Sequence, residues 1–125
     1  MTKIYSTEGG YWMEGIPYDL IVTIVSKGRA EKVVEASKKA GAEGGTVLLG
    51  RGTGIHEKMK LFGIPIEPEK EIILTLTPKD ITQGVLETIC QEADLNKPGK
   101  GISFVIGIDK VAGINHQPMG KPENK

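Results

Sequence analysis

Glycine occupies alternate positions in the segment Gly50-Arg51-Gly52-Thr53-Gly54. Because glycine has no side chain and tolerates positive φ angles, another chemical group can approach its backbone closely. Successive main-chain N–H groups in such a segment can surround an anion. The glycines can equally serve only the backbone geometry at the end of a strand. The first alternative predicts a binding site for an anion or a nucleotide.

This glycine segment opens a long connection between two apolar runs, residues 46–49 and 72–76. A connection of roughly 15 residues or more usually indicates either function or disorder. The connection also carries apolar side chains, which are a liability on an exposed loop unless they dock on something. We therefore predict that the loop contacts a partner protein or folds back on an oligomer. The candidate contacts are His56, Met59, Leu61, Phe62 and Ile64.

Lysines accompany both glycine-rich stretches of the chain. Lys70 ends the long connection, and Lys100 lies inside a second turn, Gly99-Lys100-Gly101. A lysine ammonium group can bind phosphate as a point charge. It can also be an ordinary solvated charge, since lysine is mostly exposed in proteins.

The elements that must position these residues follow from the hydrophobic pattern. Dense β-branched and apolar runs predict strands, and apolar residues at helical spacing predict helices. The predicted strands are residues 20–25, 46–50, 71–77 and 102–108, and the predicted helices are residues 29–40 and 80–93. Lys38 and Lys39 in its last turn and Gly41 just beyond it end the first helix. Asp80 is the predicted N-cap of the second helix, with Gln83 as its capping-box partner.

The element order is β-α-β twice. Two such units predict an α+β fold, the ferredoxin-like plait (βαββαβ), with four antiparallel strands and both helices on one face. Apolar residues supply both faces of these strands, so the face without helices needs a cover. We expect a homo-oligomer with ligand clefts between its subunits. Residues 1–18 are predicted to form an N-terminal extension with a small apolar anchor, and residues 116–125 a flexible tail.

Composition bounds the function classes. Sixteen basic residues balance sixteen acidic residues, so the overall charge gives no reason to expect nucleic acid as a partner. Cys90 is the single cysteine, which is typical of a protein in a reducing compartment, and we expect it to be a small core residue. No apolar run approaches the length of a membrane span. We therefore expect a cytoplasmic protein. No metal site is predicted, because His56 has no spaced partner and His116 is the other histidine.

A family resemblance appears around the second predicted helix. Pro78-Lys79-Asp80 begins this helix, and Gly99-Lys100-Gly101-Ile102-Ser103-Phe104-Val105 follows it. Proteins of the PII signal-transduction family typically begin the helix with Pro-Asp-Asp and continue with Gly-Asp-Gly-Lys-Ile-Phe-Val at the same separation. Gly52-Thr53-Gly54 resembles the Gly-Phe-Gly entrance to their T-loop. From residue 19 to about residue 114, the chain resembles a divergent PII-like protein.

The resemblance implies a homotrimer with three clefts between subunits that bind an adenine nucleotide (ADP, AMP or ATP). The ligands of divergent PII-like proteins also include cyclic dinucleotides and sometimes bicarbonate. The resemblance also implies a domain over residues 19–115, a T-loop at about residues 54–69 and a B-loop at about residues 96–101. The T-loop would control a membrane transporter or a metabolic enzyme. Together with the glycine segments, the resemblance gives these candidate nucleotide contacts: Thr46, Gly52, Thr53, Gly54, Lys70, Gly99, Lys100 and Gly101.

The chain also departs from the family pattern. Ile102, Gly113 and Asn115 stand where typical members carry cations that contact phosphate, and each such contact is worth roughly 1.5–3 kcal/mol. Lys70 and Lys100 can substitute in part. His56 replaces the glutamine that supports magnesium and 2-oxoglutarate binding, which argues against 2-oxoglutarate sensing and leaves a role for magnesium open. The loop contains neither Tyr nor Ser, which excludes the uridylylation and phosphorylation seen in parts of the family.

Two other classes of protein remain as alternatives. A trimeric plait of the CutA type resembles PII in architecture and is associated with divalent metal, but the Gly-Lys-Gly turn favours PII. A small enzyme on the same fold is the second alternative. The sequence has no nucleophile and base in motif spacing, no paired carboxylates in a glycine-rich turn and no metal cluster, so we predict a regulator rather than an enzyme.

Overall fold

A computed structural model describes residues 3–7, 10–14, 17–53 and 59–114. Eleven elements occur in these ranges. They are β1 (Lys3–Thr7), β2 (Gly10–Glu14), β3 (Tyr18–Ser26), α1 (Ala30–Lys39), β4 (Thr46–Arg51), β5 (Met59–Leu61), β6 (Ile64–Ile66), β7 (Glu69–Pro78), α2 (Lys79–Glu92), β8 (Gly101–Ile108) and β9 (Val111–Ala112).

The central sheet has the strand order β4-β7-β3-β8, and every neighbouring pair is antiparallel. Helices α1 and α2 pack against each other and against the central strands β3 and β7. This is the order of a ferredoxin-like plait, so the predicted fold class is confirmed. Within the described ranges, no helix is long and apolar enough to cross a membrane.

The core lies between this sheet and the two helices. Val33 of α1, together with Val85 and Ile89 of α2, is fully buried against Ile21 and Ile73 of the sheet. Each side chain of this size contributes about 1.5–3 kcal/mol when it leaves water. Cys90, which was predicted as a small core residue, is only half-buried. The helical periodicity therefore identified the residues that hold the helices on the sheet.

The start of α1 is held by a residue from the sheet. Arg29 occupies the N-cap position without capping through its side chain. Instead, the Glu71 carboxylate of β7 accepts hydrogen bonds from the backbone N–H groups of Gly28 (3.0 Å) and Ala30 (2.8 Å). The end of α1 agrees with the prediction, since Gly41 follows it with φ +114°. The helix is thus fastened to β7 at its first turn.

The predicted capping box of α2 is wrong. Helix α2 follows β7 directly, so Pro78 takes the N-cap position and Asp80 lies exposed in the first turn. The Thr82 hydroxyl donates to the Pro78 carbonyl oxygen at 3.2 Å. Gln83 extends along the helix and donates to Glu87 at 3.0 Å. Because β7 passes directly into α2, Asp80 lies inside the first turn of the helix and not at its N-cap position.

The N-terminal extension contains regular structure that the sequence analysis did not predict. Strands β1 and β2 form an antiparallel hairpin, and β2 pairs with β9 on its other side. The side chains of the predicted apolar anchor lie outside the described part of the structure, as does the predicted tail.

The second face of the central sheet is apolar and carries no helix. Alternation along the strands places the side chains of this face opposite to the core. Its exposed large residues are Leu48, Leu76, Ile102, Phe104 and Ile106, with exposed fractions of 38–56%. Soluble monomers rarely leave so many neighbouring apolar side chains in water.

Candidate functional site

The glycine segment that follows the second core strand begins inside the sheet. Gly50 pairs with Lys70, and Arg51 pairs with Glu69. The N–H group of Gly52 donates to the Pro68 carbonyl oxygen at 3.2 Å, which closes the base of the long loop. Thr53 is exposed just beyond this base. Gly54 and His56 lie outside the described residues.

The second glycine turn connects α2 to β8. Gly99 and Gly101 both have positive φ angles, +79° and +141°. A Cβ atom on Gly101 would lie 2.6 Å from the Ile24 carbonyl oxygen and 2.9 Å from a Val25 methyl carbon, so only glycine fits there. The space around Gly99 is open. Gly101 is therefore required by packing against β3, and Gly99 has the backbone that a ligand could approach.

Register brings most of the predicted site to one end of the sheet. In β3, Ser26 pairs with Lys70 and Val25 pairs with Gly101. Lys70 also pairs with Gly50 of β4. The start of the first glycine segment, Lys70 and the start of β8 therefore lie side by side, across strand spacings of about 4.8 Å each.

Thr46 lies away from this end within one chain. It pairs with Leu74, four residues from Lys70 along β7, which is about 13 Å of strand. Thr46 instead lines an open cleft of about 810 Å³. The rest of this cleft is formed by Tyr18, residues 41–45, Leu74, Leu76, Pro78, Ile81, Gly113 and Ile114.

The cleft at Thr46 contains a buried phenol. Tyr18 is 6% exposed. Burial raises the pKa of Tyr18, and the negative charges of Glu43 and Asp80 raise it further. The hydroxyl therefore stays protonated at neutral pH and can donate a hydrogen bond. Sequence reasoning missed this cleft, although the glycine-rich run of residues 41–45 before β4 was a signal of the kind used for the other two segments.

A smaller cavity of about 220 Å³ lies at the base of the long loop. Its lining includes Lys27, Arg51 and Lys70, together with Glu69. Lys27 and Glu69 form an ion pair at 2.8 Å, which raises the pKa of Lys27 and lowers the pKa of Glu69. The sequence analysis identified only Lys70 here. Lys27 was missed because it reaches the site through the register of β3 with β7.

The long loop contains a β-hairpin with a two-residue turn. Leu61 pairs with Ile64, so Phe62 and Gly63 form the turn, with φ angles of +52° and +81°. Positive φ at both positions is typical of a type I′ turn. The Phe62 side chain is 94% exposed and Ile64 is 65% exposed. Two of the five predicted docking residues, Phe62 and Ile64, are thus exposed at the tip, whereas the side chains of Met59 and Leu61 are not described.

Metal ligands do not cluster in the described residues, where no group of three or more His, Cys, Asp and Glu side chains could hold a metal ion.

Comparisons with known proteins agree on one family. The family model described as nitrogen regulatory protein P-II matches residues 18–117. Nitrogen regulatory protein P-II 2 of Methanothermobacter thermautotrophicus is 32% identical over 107 residues, which are 81% of this chain and 92% of that protein.

Two solved structures share the fold. The PII protein of Arabidopsis thaliana bound to citrate has a TM-score of 0.59 and 26% identity, and the match covers 75% of this chain and 79% of that chain. A nitrogen regulatory PII-like protein from Thiomonas intermedia K12, bound to ADP, AMP and bicarbonate, has a TM-score of 0.60 and 19% identity, with 94% and 100% covered. With the family model and the archaeal relative in agreement, this chain belongs to the nitrogen regulatory protein P-II family.

Proposed function

We propose that this chain is a trimeric signalling regulator that binds an adenine nucleotide between its subunits and controls a partner protein through the long loop. The observation that carries the proposal is the division of the predicted contacts between two ends of the sheet. One nucleotide could contact both Thr46 and Lys100 if they came from neighbouring subunits. This arrangement requires an oligomer, and the apolar second face of the sheet supplies a surface for one.

The ligand class follows from charge and from relatives. Lys27, Arg51 and Lys70 line the cavity at the loop base, and Lys100 lies in the second glycine turn. Arg51, Lys70 and Lys100 can substitute for the phosphate-binding cations that typical members have in place of Ile102, Gly113 and Asn115, whereas the charge of Lys27 is balanced by Glu69. The PII-like protein of Thiomonas intermedia binds ADP and AMP. We propose ADP, AMP or ATP as the effector, with magnesium as an optional companion.

The long loop is the proposed output. Its base is closed by the Gly52–Pro68 hydrogen bond beside Lys70, and its tip presents Phe62 and Ile64 to solvent. A nucleotide at the base would change the order of the loop and so change what the tip can contact, as in other order-to-disorder switches. The partner would be a membrane transporter or a metabolic enzyme in the cytoplasm. This regulatory role needs no catalytic residues, and P-II membership favours it over a CutA-type metal protein.

The test is a calorimetric titration of the purified chain with ADP, AMP and ATP, with and without magnesium, and with bicarbonate and 2-oxoglutarate. We expect binding of at least one adenine nucleotide and a matching rise in Tm, because a ligand specific for the folded state stabilises it. Lys100→Ala should weaken binding about tenfold or more, since it removes a charge-assisted phosphate contact. Lys97→Ala is the matched control, because Lys97 is exposed in the same turn and pairs with Asp94. No heat and no Tm shift with any nucleotide would reject the proposal.

A further inference from the structure

The N-terminal hairpin is joined to the end of the domain through its backbone. Trp12 and Met13 of β2 pair with Ala112 and Val111 of β9. Strand β9 is only two residues long and follows β8 after a two-residue turn. Each ordered residue costs about 1–2 kcal/mol of backbone entropy, so a strand this short depends on pairing with a neighbour such as β2.

The residues that follow β9 enter the large cleft. Gly113 and Ile114 line the cleft that also contains Tyr18 and Thr46. Gly113 has φ +86°, a left-handed conformation that turns the chain after β9. Ile114 is half-buried there. The pairing of β2 with β9 therefore determines where one wall of the cleft lies.

The chain that leads from the hairpin into β3 is held beside the same cleft at Pro17. The Pro17 carbonyl oxygen accepts a hydrogen bond from the Lys79 N–H at 2.9 Å. The next residue, Tyr18, is buried and lines the cleft. The chain is thus held at the cleft from Pro17 onward, and β2 pairs with β9.

We propose that the N-terminal hairpin is a positioning element for ligand binding, which holds β9 so that Gly113 and Ile114 close one side of the cleft. The ligand-binding part of this inference rests on the proposed function, in which the cleft forms part of the nucleotide site. When the hairpin is released, residues 111–114 occupy the binding position for only a fraction of the time. The apparent affinity then falls by that fraction.

Two variants of the full trimeric protein release β9 in different ways. Ala112→Pro places an imino acid in the short ladder, and deletion of residues 2–14 removes β1 and β2. Ala112→Val is the matched control, because valine keeps the N–H group and favours strands. The readouts are the Kd for ADP by calorimetry, hydrogen exchange in residues 111–114 and 41–46, and the oligomeric state by light scattering.

We expect both releasing variants to remain oligomeric, to exchange faster in residues 111–114 and to bind ADP about tenfold more weakly, while Ala112→Val stays within about twofold of the parent chain. An unchanged Kd in the deletion variant, with ADP bound by the parent, overturns the inference and leaves the proposed function intact. If the parent chain binds no adenine nucleotide, the ligand role fails together with the proposed function. Unchanged exchange in residues 111–114 in both releasing variants overturns the positioning role, whatever the parent binds.

Discussion

At the scale of single residues, a buried polar group joins the sheet to α2. The Asp19 carboxylate, in a side chain only 4% exposed, accepts a hydrogen bond from the Lys79 ammonium group at 2.6 Å. This hydrogen bond, together with the positive charge of Lys79, holds the pKa of Asp19 below its ordinary value of 3.8 despite burial. The Thr77 and Thr82 hydroxyls lie 2.7 Å apart beside it. A buried ionised group with these partners makes stability depend on pH.

We predict that Asp19 stabilises the fold above its unfolded pKa, and that this stabilisation disappears as pH falls through its lower folded pKa. Asp19→Asn should therefore cost about 1–3 kcal/mol at pH 7, because it removes the buried negative charge that pairs with the Lys79 ammonium group. The variant should also lose less stability than the parent between pH 5 and about pH 2. Urea denaturation across that pH range measures both effects. Parallel pH curves for the two proteins would contradict the assignment.

At this scale, Gly101 shows which part of a glycine's role can be predicted from sequence and which part cannot. The glycine at position 101 was predicted as a ligand contact, but its packing against the Ile24 carbonyl oxygen means that a bulky substitution would disrupt the fold. Sequence spacing identifies an unusual backbone but does not distinguish a close approach by a ligand from one by a neighbouring strand. For this reason Lys100 is the better residue for testing ligand binding.

At the scale of elements, the strands and helices of the core were predictable because each carries a strong local pattern. The β-branched run of β3 and the helical spacing in α1 and α2 agree with their tertiary environments. The sequence did not predict β1, β2 and β9, because they are short and their strand conformation depends on pairing between distant parts of the chain. The hairpin in the long loop was missed because a turn with phenylalanine at its first position has no conventional signal.

The hairpin tip gives a prediction for one such unconventional turn. A non-glycine residue with φ +52° carries a backbone cost of about 1 kcal/mol or more, which asparagine tolerates better than phenylalanine. Phe62→Asn creates the Asn-Gly pair that type I′ turns prefer. We expect slower hydrogen exchange across residues 59–66 and no change in ADP affinity. Faster exchange in the variant would show that the Phe62 side chain, and not the turn backbone, holds the hairpin together.

At the scale of the whole molecule, the apolar second face of the sheet is the surface that we propose for subunit contact. Leu48, Phe104 and Ile106 lie on this face with about 40–47% of their surface exposed. In the proposed trimer this surface is buried, and each fully buried side chain of this kind contributes about 1.5–3 kcal/mol. The two parts of the proposed nucleotide site come together only when the face is covered.

We predict that Phe104→Lys dissociates the trimer, because an ammonium group at a subunit interface without a partner costs several kcal/mol. Light scattering should show a smaller species, and nucleotide binding should be lost with the assembly. Glu87→Lys, on the exposed side of α2, is the control and should remain trimeric. A Phe104→Lys protein that keeps the parent mass would place the interface on another surface.

The attachment of α1 to β7 limits how a signal can travel through this molecule. Lys70 and Glu71 are neighbours in one strand, so they point to opposite faces, with Lys70 at the proposed site and Glu71 at the first turn of α1. A slip of one residue would exchange these faces and remove both sets of contacts. A shift in the register of β7 therefore cannot carry a signal from the ligand to the helices. In the proposed mechanism the sheet and helices therefore keep their relative positions, and a ligand at the loop base changes the conformation of the loop alone.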